Sequence, residues 1–364
     1  MCNICLERVS PNSKSLTIKK CKLVLEIPKF LINLNNLKVS KCDNITTIPN
    51  TLINLKKICI DDCDNITTIP DTFINLKKIC IYNIYNIILP NSFINLKELN
   101  IYNCNNIITV PTFINLNILT VSNCENITNI PDTLINLEFL EISNCKKILI
   151  IPNTLTELFE LNIFNSNIDF IPSTLLNLRN LILYNCEKIK NIPNELYKII
   201  KIIIDGCNNI ITLPFNLIRI RSLTLINNEI INYIPKEFDD LTFLRLENTI
   251  IKDIPKEFIN LRQLIINDTN IITLPPTFIK IFNLKCNFIT LRNYLFKCKL
   301  SNNKLNLNLL DEECLICYDN KRELINNPCF CITSCKSCAS KSNSNCIICR
   351  KPIMKYILKE NINY

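Results

Sequence analysis

An apolar residue followed by proline recurs along the chain at Pro28, Pro49, Pro70, Pro90, Pro111, Pro131, Pro152, Pro172, Pro193, Pro214, Pro235, Pro255 and Pro275, and every interval is 20 or 21 residues. A period this regular constrains the fold more than any other feature. Each unit is too short to bury its own apolar face, so neighbouring units must stack into a solenoid. One unit has Leu55, Ile58, Ile60, Cys63, Ile66, Ile69 and Pro70, which spells Leu-x-x-Ile-x-Ile-x-x-Cys-x-x-Ile-x-x-Ile-Pro. Its Ile-x-Ile step has the period of a strand, with alternate side chains pointing inward, and stacking pairs those strands into one parallel sheet. Between Pro70 and Leu76 only Asp71 to Asn75 remain, too few for a proper helix, and proline holds the chain in an extended or tight-turn path there. The side opposite the sheet is therefore expected to be mostly irregular or 3₁₀.

This unit resembles the leucine-rich repeat, with the repeat's Asn/Cys position filled by Cys. The resemblance implies an α/β solenoid over residues 16–285, about 13 repeats long, with its parallel sheet on the concave face and residues 1–15 as an N-terminal cap. It also implies that the column Cys42, Cys63, Cys104, Cys124, Cys145, Cys186 and Cys207 is buried and bonded to the turn backbone. The residues agree: Ile84, Ser166, Asn228, Thr249 and Thr269 take the same place in other repeats, and free cysteine is among the most buried residue types. A metal or redox ladder is the other reading of stacked cysteines, and a structural column is the expectation.

Function on a solenoid belongs on the concave face, where residues flanking the inward Leu/Ile point to solvent. One such column runs Ser40, Asp61, Tyr82, Tyr102, Ser122, Ser143, Phe164, Tyr184, Asp205, Ile226, Glu247 and Asn267. Tyr82, Tyr102, Phe164 and Tyr184 are the expected partner-binding residues, since aromatics give large contact area at low entropic cost. Aromatics also simply suit strands, which is the bland alternative.

Composition removes whole classes of chemistry. The chain has no histidine, which excludes Ser-His-Asp triads, His-Glu-x-x-His zinc proteases and Cys-His nucleophile pairs together. Its 22 cysteines could suggest a secreted disulfide scaffold, but Met1 to Lys20 has no apolar stretch of signal-peptide length. No apolar run reaches the ~18 residues of a membrane-spanning helix. Reduced thiols and an intracellular, cytoplasmic location without membrane contact are expected. The formal charge of +9 falls to about +5 once eight zinc-bound thiolates and two zinc ions are counted.

Those eight thiolates come from the C-terminal region. Residues 286–313 lose the period and read as a cap and linker, ending in the acidic Asp311-Glu312-Glu313. Then Cys314, Cys317, Cys329, Cys331, Cys335, Cys338, Cys346 and Cys349 follow with the spacing C-x2-C-x11-C-x-C-x3-C-x2-C-x7-C-x2-C. Zinc takes four tetrahedral soft ligands and each C-x-x-C pair offers two to one ion, so eight thiolates imply two closed sites. Closed all-cysteine sites are structural, each worth on the order of 10 kcal/mol to a segment too small for a hydrophobic core.

Residues 314–364 resemble RING fingers, particularly the inhibitor-of-apoptosis type, which has the same spacing between its third and sixth ligands. Pro328-Cys329-Phe330-Cys331 stands where that family has Pro-Cys-Gly-His, so Cys331 takes the place of the usual histidine. The resemblance implies a small zinc-stapled cross-brace domain over 314–352. Cys314, Cys317, Cys335 and Cys338 would hold one structural Zn2+, and Cys329, Cys331, Cys346 and Cys349 the other. It implies an E3 ubiquitin ligase, which docks a ubiquitin-charged E2 enzyme and poses its thioester for reaction without a nucleophile of its own. Ile316 matches the apolar E2-contact position, and Arg350 matches the arginine that bridges E2 and ubiquitin, a task suited to its fork of donors. The tail, 353–364, resembles the short strand through which such RINGs dimerise.

Cys2-Asn3-Ile4-Cys5 looks like the opening of another RING, but no paired cysteines follow and a capping segment is expected. Ile347 stands where a proline usually follows the seventh ligand, and Ala339 to Asn345 lacks an aromatic residue for the E2 groove. These departures keep open a second class of function, a non-enzymatic adaptor whose zinc module is only structural. A third class, nucleic-acid binding, is disfavoured because basic residues are dispersed and only Lys38, Lys57, Lys78 and Lys201 are placed on the concave face.

Overall fold

Each inward Leu/Ile pair forms the middle of a short strand. In the computed structural model, which describes residues 9–278 and 281 together with strand segments as far as Leu358, the chain divides into two units, Met1–Lys198 and Ile199–Tyr364. The first carries β1 (Ser15–Lys19), β2 (Asn36–Ser40), β3 (Lys57–Asp61), β4 (Lys78–Tyr82), β5 (Glu98–Tyr102), β6 (Ile118–Ser122), β7 (Phe139–Ser143), β8 (Glu160–Phe164) and β9 (Asn180–Tyr184). Neighbours in sequence are neighbours in the sheet, all parallel, and each residue pairs with its equivalent one repeat away, as in Leu37 with Ile58 and Ile58 with Ile79. The second unit continues the pattern with β10 (Lys201–Asp205), β11 (Ser222–Asn228), β12 (Phe243–Thr249), β13 (Gln263–Thr269), β14 (Asn283–Lys285) and β15 (Asn308–Leu309). Thus the stretch read as cap and linker contributes a strand, β15, parallel to β14.

The core follows the repeat arithmetic. Ile58 and Ile60 of β3 have no exposed surface, nor do Leu52, Leu55, Cys63 and Ile66 of the same repeat. Across from the sheet, Leu52 N–H donates to Pro49 O at 3.3 Å and Leu55 N–H to Leu52 O at 3.1 Å. Two successive i to i+3 turns therefore form the whole convex connection, the proline contributing an acceptor where it has no donor. No helix occurs among the described residues, and the convex side is made of turns, as the short connections imply. A five-residue connection cannot meet the cost of helix nucleation.

Side-chain columns join one repeat to the next. Asn54 donates to Ile32 O at 2.8 Å, Asn75 to Ile53 O at 3.2 Å, Asn95 to Ile74 O at 2.9 Å and Asn115 to Ile94 O at 2.8 Å. At the end of each strand one residue takes a left-handed conformation, from Lys20 and Lys41 through Asn83, Asn103 and Asn123 to Asp268, with φ between 47° and 64°. Asparagine tolerates that region through local hydrogen bonds, and the chain's single glycine, Gly206, sits in the same column at φ 64°. The asparagines also form a ladder: Asn103 donates to Asn83 at 2.7 Å, Asn123 to Asn103 at 2.8 Å and Asn144 to Asn123 at 2.6 Å.

The cysteine column is structural. Cys42, Cys63, Cys104, Cys124, Cys145, Cys186 and Cys207 are fully buried, and each thiol donates to the carbonyl two residues back, at 3.2 to 3.4 Å. Ser166 makes the same bond to Phe164 O at 2.8 Å. Asn228 does more: its amide donates to Cys207 O at 3.2 Å and its carbonyl accepts from the amides of Ile230 and Ile231 at 3.3 and 2.7 Å. Replacing it by alanine strands these buried backbone groups, so Asn228→Ala is expected to cost about 1–3 kcal/mol, read as a lowered urea midpoint.

In the C-terminal region, β16 (Leu324–Asn327), β17 (Ile332–Ser334) and β18 (Lys355–Leu358) form an antiparallel sheet in the order β17-β16-β18. The tail expected to supply a dimer strand thus has a partner within the chain, Leu324 opposite Leu358 and Asn327 opposite Lys355.

Candidate protein-binding face and zinc module

Each five-residue strand turns its first, third and fifth side chains to the open, concave face of the sheet. In the fifth column the parallel register sets Tyr82 beside Tyr102 and Phe164 beside Tyr184. Both pairs stack. Tyr82 and Tyr102 have ring centroids 4.8 Å apart and planes at 7°, and Phe164 and Tyr184 are 5.1 Å apart at 21°. All four side chains are half-exposed. Burial raises the Tyr82 hydroxyl to about 12 and the Tyr102 hydroxyl above its ordinary value, so both stay neutral donors, and Thr120 hydrogen-bonds Tyr102.

The two stacks are separated by Ser122 and Ser143, so Tyr102 and Phe164 stand three strand spacings, about 14 Å, apart. Beside this gap, burial raises the Glu141 carboxyl and neighbouring Glu160 adds to the rise, while Asn162 opposes it. Two rigid aromatic plates with a small-residue floor between them can take apolar side chains on the plates and hydrogen-bonding groups over the serines.

The charge on this face is mixed. Lys78 is ion-paired to Glu98, which also accepts from Asn100 at 2.8 Å. Glu160 accepts from Asn162 at 3.1 Å and from Asn180 at 2.9 Å. Lys38, Lys57 and Lys201 lie on the face as expected, but the structure adds two basic residues that the sequence reading left out, Lys19 in β1 and Arg245 in β12. Arg245 bonds Glu247 at 2.8 Å, and Asn267 donates to the same carboxylate at 2.7 Å.

A feature of the third column was missed altogether. Cys59 and Cys80 occupy equivalent places in β3 and β4 and are directly paired across the two strands. Strand alternation alone puts both on the open face. The pairing becomes visible in sequence when repeats are aligned on the middle residue of each strand.

The eight predicted ligands, Cys314, Cys317, Cys329, Cys331, Cys335, Cys338, Cys346 and Cys349, lie outside the described residues, as do Ile316, Arg350, Cys2 and Cys5. The strands that are described interleave with them: β16 falls between the second and third ligands, β17 between the fourth and fifth, and β18 after the eighth. Among the described residues no group of three or more potential metal ligands is gathered, and no helix there is long and apolar enough to cross a membrane.

Residues 310–356 match the family model described as zinc finger, C3HC4 type (RING finger). The histidine of that description falls at the fourth ligand, where this chain has Cys331. The match implies zinc binding, and eight soft thiolate donors suit zinc. The solenoid resembles solved leucine-rich-repeat structures. A leucine-rich-repeat protein of Leptospira interrogans is 20% identical with a TM-score of 0.60, over 84% of this chain and 93% of that one. The Drosophila Toll–Spatzle complex, in its glycosylated form, gives 18% identity and a TM-score of 0.60, over 84% of this chain and 49% of that one. The functional domain of InlJ from Listeria monocytogenes, which includes a cysteine ladder, gives 16% identity and 0.51, over 75% of this chain and 63% of that one. At these identities the likeness establishes the fold. No curated protein sequence matches the chain.

Proposed function

We propose that this leucine-rich-repeat solenoid with a C-terminal RING finger is an E3 ubiquitin ligase, its RING docking a ubiquitin-charged E2 and its concave face binding the substrate protein. The observation that carries the reading is the eight-cysteine run, whose spacing and RING match fall in one chain with a solenoid that presents stacked aromatics on its open face. The coarser role, a protein-interaction scaffold with a zinc finger, follows from the two folds together.

In this account the chain supplies positioning rather than covalent chemistry. Four cysteines, Cys314, Cys317, Cys335 and Cys338, would hold one zinc and Cys329, Cys331, Cys346 and Cys349 the second, and the metal would supply the structural staple for the segment that carries Ile316 and Arg350. Ile316 presents an apolar contact to the E2. Arg350 donates to E2 and ubiquitin together and restrains the flexible thioester, which its planar fork of donors can do and a lysine cannot. The substrate's own lysine is the nucleophile, which agrees with a chain that lacks histidine.

The test is chain formation by the purified, zinc-loaded protein with ubiquitin, E1 and a panel of E2 enzymes. Wild type is expected to build chains with at least one E2, and Ile316→Ala and Arg350→Ala to reduce them about tenfold or more while zinc content is unchanged, a loss of about 1.4 kcal/mol or more in transition-state stabilisation. Chain formation by wild type no greater than that of the E2 enzymes alone, with zinc in place, would favour the non-enzymatic adaptor, in which the zinc module only staples or dimerises the solenoid.

Substrate capture is assigned to the aromatic stacks. The double variant Tyr82→Ala/Tyr102→Ala is expected to weaken binding of a captured substrate by about 2 kcal/mol, roughly 30-fold, in a calorimetric titration, because a stacked pair buries as a unit.

A further inference from the structure

The third concave column holds a group that the ligase reading does not use. Cys59 and Cys80 face each other across β3 and β4, and in-register neighbours of a parallel sheet are about 4.8 Å apart at Cα, inside the 4.4–6.8 Å window of a disulfide. They are unlike the other cysteines of the described solenoid. Cys42, Cys63, Cys104, Cys124, Cys145, Cys186 and Cys207 are fully buried and donate to strand carbonyls. Cys59 instead is half-exposed on the open face, and Cys80, only 3% exposed, lies against it.

The surroundings favour a thiolate. The Cys59 thiol hydrogen-bonds Cys80, and the Asn100 amide donates to Cys80 Sγ at 3.6 Å. Lys78 and Lys57 stand at the first position of the same two strands and Lys38 in the third column of β2, with Glu98 opposing them. The bond from Cys59, then Asn100 and Lys78, lower Cys80 to about 6 against its burial, while the same shared proton raises Cys59. Tyr82 and Tyr102 wall the site on the fifth column.

We propose that Cys59 and Cys80 form a hydroperoxide-sensitive dithiol on the concave face, oxidised reversibly to an intramolecular disulfide. Loss of one proton from the pair leaves a thiolate, and the attack runs through the Cys59 sulfur, whose proton passes to Cys80, because Cys59 is the one of the two open to a peroxide. That sulfur attacks one oxygen of the peroxide, the O–O bond breaks, and the departing hydroxide takes a proton to become water, which leaves Cys59 as a sulfenic acid. Cys80 sulfur then attacks Cys59 sulfur, the S–O bond breaks, and the hydroxide leaves with the Cys80 proton as a second water. Two thiols and one hydrogen peroxide give one disulfide and two waters, an organic hydroperoxide giving one water and its alcohol, and an external thiol reverses the reaction.

Cys63 provides an internal reference in the same stretch of chain, because it has no exposed surface. Cys124 and Cys145 provide another: they too hold equivalent places in neighbouring repeats, yet neither has exposed surface. The experiment treats the full, zinc-loaded chain with limiting hydrogen peroxide, alkylates the remaining thiols and maps each cysteine by fragment-resolved mass spectrometry. Cys59 and Cys80 are expected to disappear together into one crosslinked peptide pair 2 Da lighter, restored by dithiothreitol. Without peroxide, the half-exposed Cys59 is expected to alkylate faster than the fully buried Cys63. In Cys80→Ser the oxidised Cys59 should be trapped by dimedone, since its resolving thiol is gone. Persistence of free Cys59 and Cys80 under peroxide that oxidises other thiols, or oxidation of either without the Cys59–Cys80 crosslink, overturns the proposal.

Discussion

Stripping zinc with a strong chelator, or replacing Cys314 by serine, is expected to abolish ubiquitin transfer while leaving the solenoid folded. The RING segment has few residues with which to build an apolar core, and each bound zinc contributes on the order of 10 kcal/mol to holding such a segment together. Losing one of four thiolates at a closed site leaves three ligands and an open position, which zinc structural sites do not tolerate. The solenoid draws on a different source. Its buried Leu, Ile and Phe side chains stack repeat on repeat, and no metal-ligand cluster is gathered among its described residues. Release of two zinc equivalents into a chromogenic chelator, with loss of chain formation and an unchanged β signal in circular dichroism, is the expected outcome. Collapse of the β signal on chelation would mean that the solenoid, too, depends on metal.

The second large effect lies in the stack itself. Leu140 has no exposed surface and pairs in register with Leu119 on one side and Leu161 on the other. Leu140→Ala removes buried methyl groups and leaves a cavity between two neighbours that are held in place by their own strands, so it is expected to cost about 3–5 kcal/mol. Because each repeat contacts only its neighbours, the damage should spread along the array: hydrogen exchange should accelerate first in β6, β7 and β8. Ile135→Ala, in the same repeat but 45% exposed on the convex side, is the matched control and should stay within about 0.5 kcal/mol of wild type. Equal effects of the two substitutions would contradict the assignment of inward and outward faces.

Much of this was legible in the chain. The proline interval and the Leu-x-Ile step gave the strands, their parallel order and the buried column at Cys63 and its equivalents, because a 20-residue unit with one two-sided strand has few ways to bury its apolar side. Other features emerge only once repeats are superposed. Asn54 and Asn75 bond the previous turn's carbonyls in the stack. Asn83, Asn103 and Gly206 occupy one left-handed column at or next to the ends of the solenoid strands β1 to β13. Arg245 and the Cys59–Cys80 pair were missed for a related reason: aromatics stand out at the fifth position of each strand, while the third position, more buried in several strands, carries different chemistry. The expected 3₁₀ character survived only as paired turns. In the C-terminal region the ligand spacing was legible because zinc geometry demands it, whereas the pairing of Lys355–Leu358 with Leu324–Asn327 joins segments that no local pattern links.

The oxidation of Cys59 and Cys80 is independent of ligase activity and stands or falls on its own crosslink. The two meet only in place, since Tyr82 follows Cys80 by two residues on the same strand and belongs to the aromatic pair assigned to substrate capture.

The most direct measurement of the central claim is discharge of ubiquitin from a pre-charged E2 onto free lysine, followed in single turnover with the full protein shown to carry two zinc ions. The account predicts that the protein accelerates discharge by at least about tenfold over E2 alone, equivalent to about 1.4 kcal/mol of barrier, and that Arg350→Ala removes the acceleration. Discharge at the E2-alone rate, with every E2 tried and with zinc in place, would contradict the ligase and leave a zinc-stapled interaction scaffold.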